Sequence, residues 1–197
     1  VRTAGIILAA GESRRMGTPK ALLDYHGQTF LEHLAGVLGA CCDSVVAVTG
    51  AHDAQIRAGI HTPVALVHNP QWPSGQLTSL QAGLRAVSSG LDRVLFTLVD
   101  HPAIRVETVR AVLASPALFA IPRFQGRRGH PVAFSASLIP EFLALAPSAS
   151  ARDLRERYSD RVAWLDCDDP GIIADIDDPE TYRLLVSASS PHECLRS

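Results

Sequence analysis

Four short apolar runs, residues 5–10, 45–49, 64–67 and 94–99, are nearly unbroken and end in turn residues. A strand with one wet face alternates apolar and polar side chains, so unbroken runs predict strands covered on both faces, as in a parallel sheet. Between the runs lie helix-length segments with apolar residues three and four apart: Phe30, Leu31, Leu34, Val37 and Leu38, then Leu77, Leu80, Leu84 and Val87. Strand and helix in alternation, joined by right-handed crossovers, give an α/β fold, a three-layer α/β/α sandwich around a mostly parallel sheet. Ligands of such sheets sit outside the carboxyl ends of the strands, so the loops that follow the strands are where chemistry is expected.

The second half is less regular. Residues 123–131 read as a basic, glycine-containing loop, 135–145 and 150–158 as helices, and 162–166 as a strand. This is an elaboration of the same domain, with no repeat or linker to divide it, so one domain is expected over residues 1–186. Residues 187–197 turn small and polar, with Pro191, and are expected to be a mobile tail. A chain of 197 residues buries a continuous core without disulfides or metals.

The net charge of −2 leaves no basic excess, which argues against a polymeric nucleic acid as partner. Cys41, Cys42, Cys167 and Cys194 show neither C-x-x-C spacing nor a Cys/His pairing suited to zinc, and read as reduced thiols. No apolar run approaches the roughly 20 residues that span a bilayer, and residues 1–8 are too short for a signal-peptide core. A soluble, cytoplasmic protein without a membrane partner is expected.

The first run leads into Leu8-Ala9-Ala10-Gly11-Glu12-Ser13-Arg14-Arg15-Met16-Gly17-Thr18-Pro19-Lys20. A triphosphate needs close backbone approach, here at Gly11 and Gly17, together with N–H dipoles and fixed positive charge, for which Arg15 and Lys20 are the natural cations. No G-K-[ST] closes the loop, so it is not a P-loop, and the G-x-G-x-x-G of dinucleotide sites is absent. The second strand ends in Thr49-Gly50-Ala51-His52, with no carboxylate to hold a ribose, and Asp53 reads as a helix start. The other reading of residues 8–20 is a surface turn with incidental charges. As a loop lysine, Lys20 is expected to be exposed and to add little to stability.

A triphosphate is commonly held with magnesium, which takes oxygen ligands, often one or two carboxylates completed by phosphates and waters. Asp100 directly follows the run 94–99 and should project over the carboxyl edge of the sheet. A second acidic cluster, Asp175-Ile176-Asp177-Asp178-Pro179-Glu180, precedes a short amphipathic helix over residues 181–186. Asp178 with Pro179 suits a cap and first turn, and Glu180 suits the first turn. Alternation places Asp175 and Asp177 on one face; the alternative is that these acids form a solvated helix start. His101 reads equally as a substrate contact or a structural residue. His130 has no second histidine at ligand spacing and is not expected to bind a metal. The loop 69–80 is rich in turn residues and opens a helix, so its polar side chains can read a base edge.

The pattern L-A-A-G-x-S-x-R-M-G-x-x-K resembles the signature of the MobA/MocA-like nucleotidyltransferases, closest to molybdenum cofactor cytidylyltransferases, and the likeness extends over roughly residues 5–185. The resemblance implies a Rossmann-like fold of the nucleotide-diphospho-sugar-transferase type. It places Gly11, Ser13, Arg15, Gly17 and Lys20 on the triphosphate, following Leu8, Ala9 and Ala10. It implies Gly75, Gln76 and Ser79 in nucleotide selection, although Ser79 also suits a helix lining. Asp100 would hold Mg2+ from a D-x-P motif in which His101 is a departure, joined by Asp177, with Asp175 as second choice. Lys20, Arg15 and Asp100 would carry catalysis. The segment Arg127-Arg128-Gly129-His130-Pro131 resembles the part that faces the acceptor, so Arg128, Gly129 and His130, with His101, are expected there, while Arg123, Arg127 and Arg128 can also be read as solvated.

The implied activity is transfer of CMP from CTP to the phosphate of molybdopterin, with pyrophosphate released. CTP is preferred to GTP because the guanylyltransferases commonly read L-A-G-G, and a methyl at Ala10 crowds a purine. The implied partners are the nucleoside triphosphate, the molybdopterin-type acceptor, and a client molybdoenzyme or its chaperone. Rival readings are a guanylyltransferase, a cytidylyltransferase for another phosphorylated acceptor such as a sugar phosphate or isoprenoid precursor, a non-catalytic carrier, and an oxidoreductase that reuses the fold.

Overall fold

The computed structural model describes residues 1–189. In chain order it comprises β1 (Thr3–Ala9), β2 (Asp24–Tyr25), β3 (Gln28–Thr29), α1 (Phe30–Gly39), β4 (Ser44–Thr49), α2 (Asp53–Gly59), β5 (Ala65–His68), α3 (Gln76–Ala86), β6 (Arg93–Leu98), α4 (Val106–Ala114), β7 (Phe119–Phe124), β8 (Arg127–Arg128), β9 (Val132–Ser135), α5 (Ile139–Ala144), α6 (Ala151–Arg157), β10 (Val162–Asp166) and α7 (Pro179–Ser189). The main sheet has the order β10-β7-β9-β6-β1-β4-β5, with β8 paired to β7. The pairs β1–β4, β1–β6, β4–β5 and β7–β10 are parallel, and β9 runs against both β6 and β7.

The unbroken apolar runs have the expected cause. Along β1, Ile7 and Ala9 pack with Leu31, Leu34 and Leu38 of α1 and Val109 and Val112 of α4. Ile6 and Leu8 pack instead with Leu77, Leu80 and Leu84 of α3, Phe142 of α5 and Leu154 of α6. A strand clad on both sides has no polar positions to alternate with. The layers press closely: a Cβ on Gly83 of α3 would stand 2.7 Å from Ile6 Cγ2, and one on Gly5 would stand 2.8 Å from Leu38 Cδ2.

The second half departs from expectation. The basic loop expected over 123–131 is in part a hairpin, because β7 continues to Phe124 and turns through Gln125 and Gly126, both at positive φ, into β8. Strands β7 and β9 were not expected, although the apolar residues 117–121 lead into β7. Pro122 argues against a strand, yet it falls in the gap between Ala120, the last β7 partner of β9, and Arg123, the first β7 partner of β8. The helix expected over 135–145 begins as a 3-10 turn and becomes α5 only at Ile139. Helix α6 and β10 stand where they were expected, with Ser150 and Asp153 forming a capping box at the start of α6. The terminal helix α7 continues to Ser189, beyond the expected boundary at 186, and the rest of the expected tail lies outside the described residues. Cys41, Cys42 and Cys167 are free thiols, and burial pushes the Cys42 thiol up to about 12. Among the described residues no helix is long and apolar enough to cross a membrane.

One buried carboxylate ties α1 to the chain after α2. Glu32, only 8% exposed, completes a capping box with Thr29 and also accepts from the backbone N–H groups of His61 at 2.7 Å and Thr62 at 2.8 Å. Burial alone would raise its pKa, but the hydrogen bonds outweigh it and hold the carboxyl at about 2, against an ordinary 4.5. A depressed folded-state pKa contributes stability that is complete above the unfolded value and is lost as the pH falls from about 4.5 through about 2. Glu32→Gln should therefore lower the unfolding free energy at neutral pH by about 1.5–3 kcal/mol. It should also flatten the acid limb, which urea titrations from pH 7 to 2.5 on both proteins will measure; parallel acid limbs would refute the assignment.

Candidate active site

Because β1 and β6 are adjacent and parallel, the loop after β1 and Asp100 after β6 open on the same edge of the sheet. The β1 loop is closed on itself: Ser13, at positive φ, accepts the Lys20 N–H at 3.0 Å, and Met16 N donates to the Ser13 carbonyl at 3.0 Å. His52 Nε2 braces the Glu12 carbonyl at 2.8 Å, and Ala51 N donates to the Ala10 carbonyl at 3.1 Å. Gly17 takes φ +66, and a Cβ on Gly11 or Gly17 would meet nothing within 4 Å. Both glycines thus face open space that a ligand can enter, and Gly17 also needs the left-handed backbone.

This loop borders a cleft of about 460 Å³, lined by Leu8, Ala9, Ala10, Gly11, Ser13, Arg15 and Lys20, and on its other walls by Gln76, Ser79, Asp100 and Asp177. Lys20 Nζ lies 3.3 Å from Asp100 Oδ2 and bonds Asp177 Oδ1, which in turn receives Arg15 Nη2 on its other oxygen at 3.1 Å. The Lys20 side chain is 12% exposed, so the expected exposed lysine is instead a half-enclosed cation between two carboxylates. Arg14 turns outward to Glu12 and takes no part in the cleft's ion pairs.

Asp100 is held from several sides. Its second oxygen lies 2.9 Å from His101 Nδ1, and its carbonyl accepts the Ile176 N–H at 2.9 Å. Burial acts to raise the Asp100 carboxyl, but the His101 hydrogen bond and charge, with Lys20, outweigh it and keep it at about 2. Asp175 is raised, first by burial and then by the negative charges of Asp100 and Asp177, while the Lys20 hydrogen bond chiefly lowers Asp177.

The acids therefore divide in a way that alternation alone does not reveal. Residues 174–177 belong to no strand or helix, with Ile176 in the core and Asp175 and Asp177 less buried on either side of it. Asp177, the first choice for metal, lies on Lys20 and Arg15, whereas Asp175 gathers with Asp100 and His101, whose ligand atoms all lie within 4.8 Å of one another. Two carboxylates, one of them raised by its negative neighbours, suit a hard divalent cation that also takes phosphate oxygens and water. Asp178 caps α7, accepting from Thr181 N at 2.8 Å and Glu180 N at 3.0 Å, as expected.

Gly75, at φ +117, turns the chain into α3 and brings Gln76 to the cleft. Ser79 Oγ lies 3.0 Å from Asn69 Nδ2, which also donates to Thr78 Oγ1 at 2.9 Å, so Ser79 both lines the cleft and fixes the loop before α3. Sequence reading missed three supports. Trp72 forms one wall of the cleft, and a Cβ on Gly50 would stand 2.5 Å from the Ala10 carbonyl and 2.7 Å from Trp72 Cγ. Asp169 is buried and accepts from Thr108 Oγ1 at 2.6 Å and Arg105 N at 3.0 Å, fixing the turn that leads to Asp175. A lone acid within Asp166-Cys167-Asp168-Asp169 carries no signal of burial.

Beyond Asp100 a second cleft, about 350 Å³, is lined by His101, Arg127, Arg128, Gly129, His130 and Arg155, among others. A Cβ on Gly129 would stand 2.1 Å from the Ile172 carbonyl, so only glycine fits there. His130 does have a second histidine beside it, 101 by number and 5.0 Å away between ring centroids, which spacing along the chain conceals. Burial, then the nearby His101, push His130 down to about 4, so its imidazole is neutral at pH 7.

The chain is 35% identical to nicotine blue oxidoreductase of Paenarthrobacter nicotinovorans, covering 92% of its own length and 95% of that protein. It is 31% identical to purine catabolism protein PucB of Bacillus subtilis, covering 94% and 97%, and 27% identical to molybdenum cofactor cytidylyltransferase of Escherichia coli, covering 90% and 92%. A solved nucleotidyl transferase from Methanothermobacter superposes with a TM-score of 0.81 at 24% identity over 95% of this chain and 97% of its own, a likeness of fold of the nucleotide-diphospho-sugar-transferase type. The MobA-like NTP transferase domain matches residues 5–162, and the chain belongs to that family.

Proposed function

We propose that the protein transfers a nucleotidyl group from a nucleoside triphosphate to a phosphorylated acceptor, with CTP and a molybdopterin-type acceptor as the preferred pair. The observation that carries this reading is the meeting of Lys20, delivered by the glycine loop, with Asp100 and Asp177 at the junction of two clefts. The loop glycines leave room for phosphate oxygens, and Arg15 and Lys20 bring positive charge to them. An acceptor phosphate oxygen forms a bond to the α-phosphorus as the bond from that phosphorus to the bridging oxygen breaks, and pyrophosphate leaves with the electron pair. Lys20 faces the oxygens on which negative charge builds, and the loop backbone fixes them in line. Asp100 and Asp175, with His101 orienting Asp100, are the residues that would hold Mg2+, whose part is to screen the phosphate charges.

The preference for CTP rests on Ala10, whose methyl group is packed beside Gly50 and Trp72 on the cleft wall. A second reading is favoured by the 35% identity to nicotine blue oxidoreductase, namely reduction of a substrate by a nicotinamide cofactor in the same cleft. Against it stand the absence of G-x-G-x-x-G and of an acid at the end of β4. Thermal shifts with CTP, GTP, ATP and NAD(P)H, each with and without magnesium, separate the two. Stabilisation by CTP that requires magnesium is expected, and stabilisation by NAD(P)H alone would favour the second reading.

Lys20→Ala should lower pyrophosphate release by about 10²–10³-fold. Because Lys20 is enclosed between two acids, a change in melting temperature is also expected, so the variant is to be compared at a temperature where it is folded. Unaltered pyrophosphate release would overturn the assignment. Ala10→Gly should narrow the ratio of kcat/KM for CTP over GTP by about tenfold, the scale on which one methyl discriminates. An unchanged ratio would remove Ala10 from base selection.

A further inference from the structure

The second cleft continues past Arg127 and Arg128 into a groove of about 490 Å³ lined by Arg123, Gly126, Arg127, Arg128 and Trp164. Its charges are unevenly paired. Arg123 is held by Asp166 through two hydrogen bonds of 3.0 Å, and Arg155 reaches Glu156 at 3.4 Å. Arg127 and Arg128 have no acidic partner among the described residues. The register places Arg128 opposite Arg123 on β7, and Trp164 of β10 beside Ile121. Arg123, Arg128 and Trp164 therefore share one face of the sheet, which Arg155 of α6 reaches.

Trp164 is 38% exposed although it lies in a sheet. The Arg155 guanidinium, itself only 15% exposed, stands 6.0 Å from the Trp164 ring centroid and also lines the cleft that holds His101 and His130. Arg155 is lowered, first by burial and then by the charge of Arg128, so two cations are crowded together, and the acid that Arg155 reaches, Glu156, is shared with Arg152. His130 Nδ1 is buried in the same cleft with no partner. Unpaired donors along an open groove that ends on an exposed indole match a flat ring carrying hydrogen-bond acceptors. A sugar phosphate or an isoprenoid phosphate has no such ring and leaves the indole unused.

Building on the transferase reading, we propose that Trp164 and Arg155 are specificity-determining residues for the acceptor. Trp164 stacks on a planar, acceptor-rich heterocycle at the end of the substrate remote from its reacting phosphate. Arg127, Arg128 and Arg155 donate to the ring's carbonyl and nitrogen edges, and the phosphate lies at the His101 end, beside Asp100. Stacking on an exposed aromatic is sequence-tolerant and strong enough to select for a ring, while guanidinium groups read its edge.

The probe is 6-carboxypterin, a flat acceptor-rich ring that carries a carboxylate, with glycerol 3-phosphate as the ringless comparison, both titrated into the full chain by calorimetry. The wild type should bind the pterin at least tenfold more tightly than glycerol 3-phosphate. Trp164→Leu should weaken pterin binding at least tenfold, Trp164→Phe should restore most of it, and Arg155→Met, which keeps the aliphatic stem, should weaken it severalfold. None of the three should alter the thermal shift given by CTP, which reports the first cleft and the integrity of the fold. Equal affinity of wild type and Trp164→Leu for the pterin, or no pterin binding by the wild type, would overturn the proposal. Failure of pyrophosphate release with normal pterin binding would count against the transferase reading alone, so the two can fail separately.

Discussion

The structure depends on β1 being enclosed on every side: by β4 and β6 along its edges and by helices over both faces. A segment so placed has all its backbone groups paired within the sheet and all its side chains in a core, so its position is fixed more tightly than that of any loop. The loop after it inherits that precision at its first residue. Because β6 runs beside β1 in the same direction, Asp100 is delivered to the same edge, and Lys20 reaches it across a gap of 3.3 Å. The pairing of groups eighty residues apart is thus a consequence of strand order.

The central strands could be read from the sequence because burial on both faces leaves a signature, an unbroken apolar run, that no other environment requires. The same physics hid β7 and β9. Strand β7 follows its apolar residues 119–121 with Pro122, which reads as a strand breaker, and with Arg123 on the groove, and β9 is a short antiparallel insertion between strands. The loop after β1 stood out because glycines, a serine and cations are concentrated in one stretch. The division of labour between Asp175 and Asp177 was not visible, since local alternation states which residues face outward and not what waits for them there. That is decided by Asp169, Asp100 and Lys20, which come from three other parts of the chain.

The electrostatic design of the edge is asymmetric. The first cleft balances Lys20 and Arg15 against Asp100 and Asp177, so each cation is held in place by an acid. The second cleft leaves Arg127 and Arg128 without acidic partners among the described residues, while Asp175 gathers with Asp100 and His101, its proton affinity raised by burial and then by the neighbouring acids. Opposite charges are thereby kept within a few ångströms without collapsing into one neutral network, because the backbone bond from Ile176 to Asp100 and the Asp169 turn hold the acidic segment at a fixed distance.

The reversed direction of β9 has a consequence for how such a protein can diverge. The hairpin of β7 and β8 leads back into the sheet through β9 without a crossover helix, and its tip at Gln125 and Gly126 touches neither hydrophobic core. Residues can be inserted or exchanged at that tip while the parallel half of the sheet, which carries the β1 loop and Asp100, is undisturbed. The fold therefore separates a half locked by its core from one that can change at its edge, and substitutions on the second need not disturb the first.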